Sequence, residues 1–169
     1  FHVTGVQTCA LPISAQLGSD PLYGVLENET ITVLKGDPIY AGVVPTSISV
    51  NLNEVRLLAP VIPRSKVVCV GKNYADHAKE MDSVVPDEPV IFLKPNTSVI
   101  GPNDIIQWPR ISERVDFEGE LAIVISRICK DVPKEKFQDV IFGYTIANDV
   151  TARDLQKKDG QWNRGKGFD

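Results

Sequence analysis

Histidine and cysteine are scarce in this 169-residue sequence, with 2 and 3 residues respectively. The cysteines, Cys9, Cys69 and Cys129, show no CxxC spacing, which argues against a structural disulfide and places the protein in a reducing cytoplasm. There is no cluster of lysine and arginine, and the net charge of -4 argues against a nucleic-acid surface. No apolar run approaches the length that spans a membrane. Internal repeats, heptads and low-complexity segments are absent as well. What remains is an ordinary globular composition, 43% hydrophobic and 24% charged, with apolar material for one core and a small extra lobe. With membrane and nucleic acid set aside, the expected partner is a small molecule.

Three stretches are expected along the chain. Residues 3–13 look like the translation of a common sequencing-library adaptor, so residues 1–14 are set apart as an assembly scar. They have neither the basic start nor the continuous apolar core of a signal peptide. Setting them apart removes His2 and Cys9 and leaves His77 as the natural histidine. Residues 15–62 read as a small β-rich lobe: two strands between Tyr23 and Leu34 joined by a turn at Asn28, a turn at Lys35–Pro38, and a strand over Val55–Pro60. Pro60 and Pro63 mark the boundary. Residues 63–169 read as the main domain, mixed α/β and strand-dominated. Its expected strands are Val67–Val70, Val90–Lys94, Asp104–Ile106, Val115–Val124 and Val140–Asn148. Its expected helices are Ala75–Met81, Pro133–Gln138 with the proline in the first turn, and Thr151–Lys158. The chain stops at Lys166-Gly167-Phe168-Asp169 without a capping element, as though cut inside a domain.

The run from Val115 to Val124 carries Glu118 and Glu120 in apolar sequence. In a strand, positions i and i+2 face the same way, about 7 Å apart. Phe117, Leu121, Ile123 and Val124 suggest that this strand is covered. Unpaired buried carboxylates lose their charge or destabilise the fold, whereas a hard divalent cation resolves the conflict. Asp149, at the end of the next strand, could complete an oxygen set suited to magnesium or manganese rather than zinc. The alternative is a solvated pair of acids.

Other candidates surround this set. His77 and Glu80 stand three apart on a helix, where a carboxylate can orient a histidine for proton transfer; an exposed helix with incidental charges is the alternative. Asp149, Arg153 and Gln156 have the spacing of one helical face, so Arg153 could grip a substrate carboxylate or merely hold the helix through Asp149 or Asp154. Lys94 and Lys166 could each stabilise an oxyanion, or be solvated.

Six separated segments, taken in order, change these weights: Val70–His77, Phe92–Pro95, Asp116–Leu121, Gly143-Tyr144, Asn148–Asp154 and Lys166–Asp169. Together they resemble the fumarylacetoacetate hydrolase family from about residue 63 to the end. The lobe before it more loosely resembles the N-terminal lobe of bacterial members. The resemblance implies a β-roll fold, here incomplete because family members continue beyond the lysine motif, and a homodimer. It implies Mg2+ or Mn2+ held by Glu118, Glu120 and Asp149, a water-activating His77–Glu80 pair on a mobile lid, and substrate contacts from Lys166, Arg153 and Gln156. The expected activity is metal-dependent cleavage of 2-oxo acids, by hydrolysis of acylpyruvates or decarboxylation of oxaloacetate, through a pyruvate enolate. Isomerisation and decarboxylation of 2-hydroxyhepta-2,4-diene-1,7-dioate in aromatic catabolism is the alternative within the family. A non-catalytic lobe with a structural cation is the alternative outside it.

Overall fold

The structure, a computed structural model, describes residues 11–18, 20–74 and 86–169. Its chain divides into two compact units, each interrupted in sequence: residues 1–61, 100–104 and 121–145 form the first, and residues 62–99, 105–120 and 146–169 the second. Among the described residues no helix is long and apolar enough to cross a membrane.

The first unit is built on an antiparallel five-stranded sheet of β1 (Leu11–Leu17), β2 (Asp20–Glu27), β3 (Thr30–Leu34), β4 (Pro45–Asn51) and β5 (Arg56–Leu57), in the order β4-β3-β2-β1-β5. Asn28 and Glu29 both take positive φ, 46° and 68°, the two-residue turn whose twist matches the strands it joins. Ile31 of β3 is fully buried, and Gly24 of β2 makes room for it: a Cβ at Gly24 would lie 2.3 Å from Ile31 Cγ2. Residues 11–14, set apart on sequence grounds, lie in β1 and pair with Leu26 to Tyr23 of β2. The expected turn at Lys35–Pro38 leads into a single helical turn, α1 (Pro38–Ala41), where the Asp37 carboxylate accepts from Ile39 N at 3.0 Å.

Asp104–Ile106 corrects one expectation, since these residues form no strand. The Asp104 carboxylate instead accepts from Gly101 N at 2.8 Å and from Arg56 at 2.9 Å, and its backbone N–H donates to Gly101 O at 3.3 Å, which commits the backbone to a turn.

In the second unit, β6 (Lys66–Gly71) and β7 (Val90–Pro95) pair antiparallel, with Cys69 opposite Phe92 and Val67 opposite Lys94. The alternation of the two strands puts Cys69, Phe92 and Lys94 on the sheltered face, while Val68, Val70, Ile91 and Leu93 are exposed on the other. A second small ladder pairs β8 (Val115–Asp116) with β11 (Thr151–Ala152). Helices α2 (Arg153–Asp159) and α3 (Asn163–Lys166) follow, with Ala152 of β11 and Leu155 of α2 buried. Gly160, in the left-handed region at φ 67°, ends α2.

Two further ladder strands, β9 (Gly119–Ile125) and β10 (Ile141–Asn148), pair with one another. The expected continuous strand Val115–Val124 is therefore two strands with different partners, interrupted at Phe117 and Glu118. Nor is it covered. Phe117 is 84% exposed, and Leu121 and Ile123 face outward with it, whereas Glu120, Ala122 and Val124 lie on the half-buried side. The expected helix Thr151–Lys158 starts only at Arg153, because Thr151 and Ala152 pair with Asp116 and Val115. Pro133 caps its short 3-10 helix, Lys134–Val140, instead of lying inside the first turn.

Candidate metal and substrate site

The interruption between β8 and β9 places Glu118. Its backbone N–H donates to Asn148 Oδ1 at 3.0 Å, and its carbonyl accepts from Asp149 N at 2.8 Å. The joint of one strand pair is thereby locked to the end of β10. Glu120 enters from the half-buried side of β9, and Asp149, 4% exposed, from the residue after β10. One carboxylate oxygen from each of Glu118, Glu120 and Asp149 lies within 4.8 Å of the other two.

Three cations of the chain itself meet these acids. Lys166 Nζ donates to Glu118 Oε2 at 2.6 Å and to Asp149 Oδ2 at 2.7 Å. Lys94 Nζ lies 2.6 Å from Asp149 Oδ1. That oxygen is buried and accepts no hydrogen bond, so the Lys94 contact is charge to charge without hydrogen-bond alignment. Lys94 Nζ donates instead to the carbonyls of Val150, at 3.2 Å, and Lys166. Arg153 spreads its guanidinium over Asp116 Oδ2 at 2.9 Å, Gln156 Oε1 at 2.7 Å and Glu118 Oε1. None of the three cations hydrogen-bonds Glu120.

The titration behaviour follows from that imbalance. Burial raises the Glu118 carboxyl, but hydrogen bonds from Lys166 and Arg153 outweigh it and hold the group below its ordinary range. Burial and the neighbouring charges of Asp149 and Glu118 push Glu120 upward. Asp116 is held low by hydrogen bonds from Arg114 and Arg153. Cys69 is pushed up to about 11 by burial and then by Asp149, so it is a neutral thiol at physiological pH.

Hard oxygen donors, one of them a buried carboxylate oxygen that accepts no hydrogen bond, fit a small divalent cation. Seven of the nine residues singled out in the sequence come together here: Lys94, Glu118, Glu120, Asp149, Arg153, Gln156 and Lys166. His77 and Glu80 lie outside the described residues. Two details are corrected. Asp149 precedes α2, so only Arg153 and Gln156 share a helical face, and the Arg153 ion pairs go to Asp116 and Glu118. Asp154 instead bonds Ser112 Oγ at 2.6 Å and Glu113 N at 2.9 Å. Asp116 was not singled out, although its spacing two residues before Glu118 is a signal that could have found it.

The sequence matches Fumarylacetoacetate (FAA) hydrolase C-terminal over residues 66–169 and Rv2993c-like, N-terminal over residues 15–60. The chain belongs to the fumarylacetoacetate hydrolase family. It is 64% identical over 118 residues to protein Rv2993c of Mycobacterium tuberculosis, covering 70% of this chain and 44% of that protein. Against oxaloacetate tautomerase YisK of Bacillus subtilis the identity is 46% over 123 residues, covering 70% of this chain and 41% of the relative. The crystal structure of 2-hydroxyhepta-2,4-diene-1,7-dioate isomerase from Mycobacterium marinum superposes with a TM-score of 0.83 at 45% identity, over 95% of this chain and 62% of that one. The chain spans about half the length of the curated relatives it matches. Its strand-dominated architecture is that of the family, several of whose members among these relatives carry enzyme names.

Proposed function

We propose that the site binds a 2-oxo acid and cleaves the bond between carbons three and four by way of the enolate of pyruvate. The observation that carries this reading is the convergence of Glu118, Glu120 and Asp149 within 4.8 Å beside Arg153 and Lys166. Glu118, Glu120 and Asp149 would hold Mg2+ or Mn2+, which when bound supplies Lewis-acid stabilisation of charge on the 2-oxo oxygen.

The chain's own residues then divide the remaining work. The hydrogen bonds of Arg153 to Asp116, Gln156 and Glu118 use three of its five N–H groups, leaving two for a substrate carboxylate in a planar fork. Gln156 fixes that fork through Arg153. Lys166 commits two of its three N–H groups to Glu118 and Asp149 and has one for an oxyanion on the leaving acyl half. His77, assisted by Glu80, takes the proton from water as it attacks carbon four of an acylpyruvate; the bond between carbons three and four then breaks, its electron pair passes to the pyruvate half, which is protonated at carbon three, and the acyl half leaves as a carboxylic acid. With oxaloacetate no attacking water is needed: the electron pair of the broken carbon–carbon bond stays on the pyruvate half as carbon dioxide leaves. The enzyme works as a cytoplasmic homodimer.

A second reading, in which the chain shifts a proton without cleavage, is favoured by the names of two relatives, an oxaloacetate tautomerase and a heptadiene-dioate isomerase. It passes through the enolate of the intact substrate, formed by moving a proton at carbon three with no carbon–carbon bond broken. Pyruvate release from acetylpyruvate and oxaloacetate, and ultraviolet absorbance of enol-oxaloacetate and the heptadiene dioate, are to be followed with and without Mn2+. These assays use the intact open reading frame that encodes this chain. Pyruvate formation is expected. Absorbance changes without pyruvate establish the second reading, and no turnover of any substrate contradicts both. If His77→Ala keeps full activity while Glu118→Ala only lowers the melting temperature, the cation is structural.

A further inference from the structure

Lys166 is a long, flexible side chain at the end of a four-residue helix, yet it is only 3% exposed and its ammonium is centred on two carboxylates. Those carboxylates attract it but do not enclose it. Two aromatic rings flank it. Phe92, on the sheltered face of β7 and 7% exposed, presents its ring 5.1 Å from Lys166 Nζ. The Trp162 ring centroid lies 6.0 Å from the same nitrogen. The two rings meet edge to face, with centroids 5.5 Å apart and planes at 67°. That arrangement locks each ring by the other, and both distances fall within the reach of a cation over an aromatic face.

The backbone is arranged around the same contact. Trp162 immediately precedes α3, and its carbonyl accepts from Lys166 N at 2.9 Å, so ring and ammonium belong to one helical turn. On β6, Gly71 leaves the space that the Trp162 ring fills: a Cβ there would lie 2.2 Å from Cζ3 and 2.8 Å from Cη2.

We propose that Phe92 and Trp162 are positioning residues, whose rings hold the Lys166 ammonium between Glu118 and Asp149, with Gly71 admitting the Trp162 ring. The proposal rests on the preceding reading for what Lys166 does in turnover, but not for where it is held. Without the rings, Lys166 keeps its charge and loses its aim.

Phe92→Leu, Phe92→Tyr, Trp162→Leu and Trp162→Phe separate ring electronics from packing. The first readout is the rate at which trinitrobenzenesulfonate labels Lys166, resolved by peptide mass, with the half-sheltered Lys94 as internal control. Each leucine variant is expected to label faster at Lys166 by roughly three- to tenfold, the factor carried by a partly desolvated cation–ring contact, while Lys94 changes little. The aromatic replacements are expected to stay near wild type. The second readout is pyruvate release, where kcat is expected to fall in the leucine variants by a comparable factor with KM little changed. Leucine variants that label no faster than wild type overturn the proposal, as does equal acceleration at Lys94, which reports local unfolding. Trp162 is only half-buried, so its variants remain informative if changes at the core residue Phe92 prevent folding. A wild-type protein that labels normally but turns over no 2-oxo acid sinks the preceding reading alone, and the labelling ratios then decide this one.

Discussion

Lys166 Nζ stands 2.7 Å from Asp149 Oδ2, and the two side chains are 4% and 5% exposed. Lys166 also reaches Glu118 at 2.6 Å and Asp149 also faces Lys94 at 2.6 Å, so the pair is the centre of a sheltered charge cluster. Replacing lysine by the similarly long, neutral methionine is therefore expected to cost about 1–3 kcal/mol of stability in the absence of divalent cations, because Asp149 and Glu118 each lose a cation while Lys94 and Arg153 remain beside them. Urea denaturation in EDTA at neutral pH measures the loss. Adding Mn2+ is expected to recover more stability in Lys166→Met than in wild type, since the ion binds only the folded state and has one fewer competitor.

Arg153→Lys tests the fork. The substitution keeps the charge but removes the planar geometry that reaches Asp116, Gln156 and Glu118 together. A loss of about 1–3 kcal/mol is expected by chemical denaturation. In turnover, the expected signature is a raised KM for dicarboxylate substrates.

Glu120 supplies the pH dependence. Its folded pKa is raised by burial and by Asp149 and Glu118, so its contribution to stability is present below the ordinary carboxylate range and is lost as pH rises through the folded value. Glu120→Gln is therefore expected to melt higher than wild type at neutral pH in EDTA, on the order of 2 °C, with the difference vanishing in acid. Glu118 has the opposite sign. Its depressed pKa gives stability above the ordinary carboxylate range that disappears as pH falls through the folded value. Thermal melts of Glu118→Gln across the same range are expected to show a deficit at neutral pH that closes in acid.

Much of the fold is local enough to read without coordinates. The β2–β3 hairpin follows from alternation on either side of Asn28, and β6, β7 and β10 from short apolar runs bounded by Gly, Pro and Asn. The acids were legible because carboxylates in apolar sequence demand a partner. Which strand pairs with which was not. The split at Phe117 and Glu118 arises because Asp116 finds Thr151 while β9 finds β10, and that choice is made by residues far along the chain. Apolar residues along β9 suggest cover without saying whether anything packs on them, so the exposure of Leu121 and Ile123 is not legible in the sequence. The approach of Trp162 to Gly71 depends on tertiary packing and leaves no local pattern.

Gly165 gives a steric test next to the site. A Cβ there would sit 2.7 Å from Gln156 N, 3.0 Å from its Cα and 3.1 Å from Ala152 O, all backbone atoms that cannot swing aside. Gly165→Ala is expected to push α3 from α2 at a cost of about 1–3 kcal/mol, read by urea denaturation. Lys166 moves with the helix, so the substitution is also expected to lower turnover.

The central claim is that Glu118, Glu120 and Asp149 form one divalent-cation site. Electron paramagnetic resonance of Mn2+ titrated into metal-stripped protein tests it most directly, because bound manganese loses its six-line signal and can be counted without any substrate. The account expects one saturable ion per chain, abolished by Glu120→Gln combined with Asp149→Asn, and displaced by Mg2+. Failure of the wild type to bind Mn2+, or undiminished binding in the double variant, would contradict it.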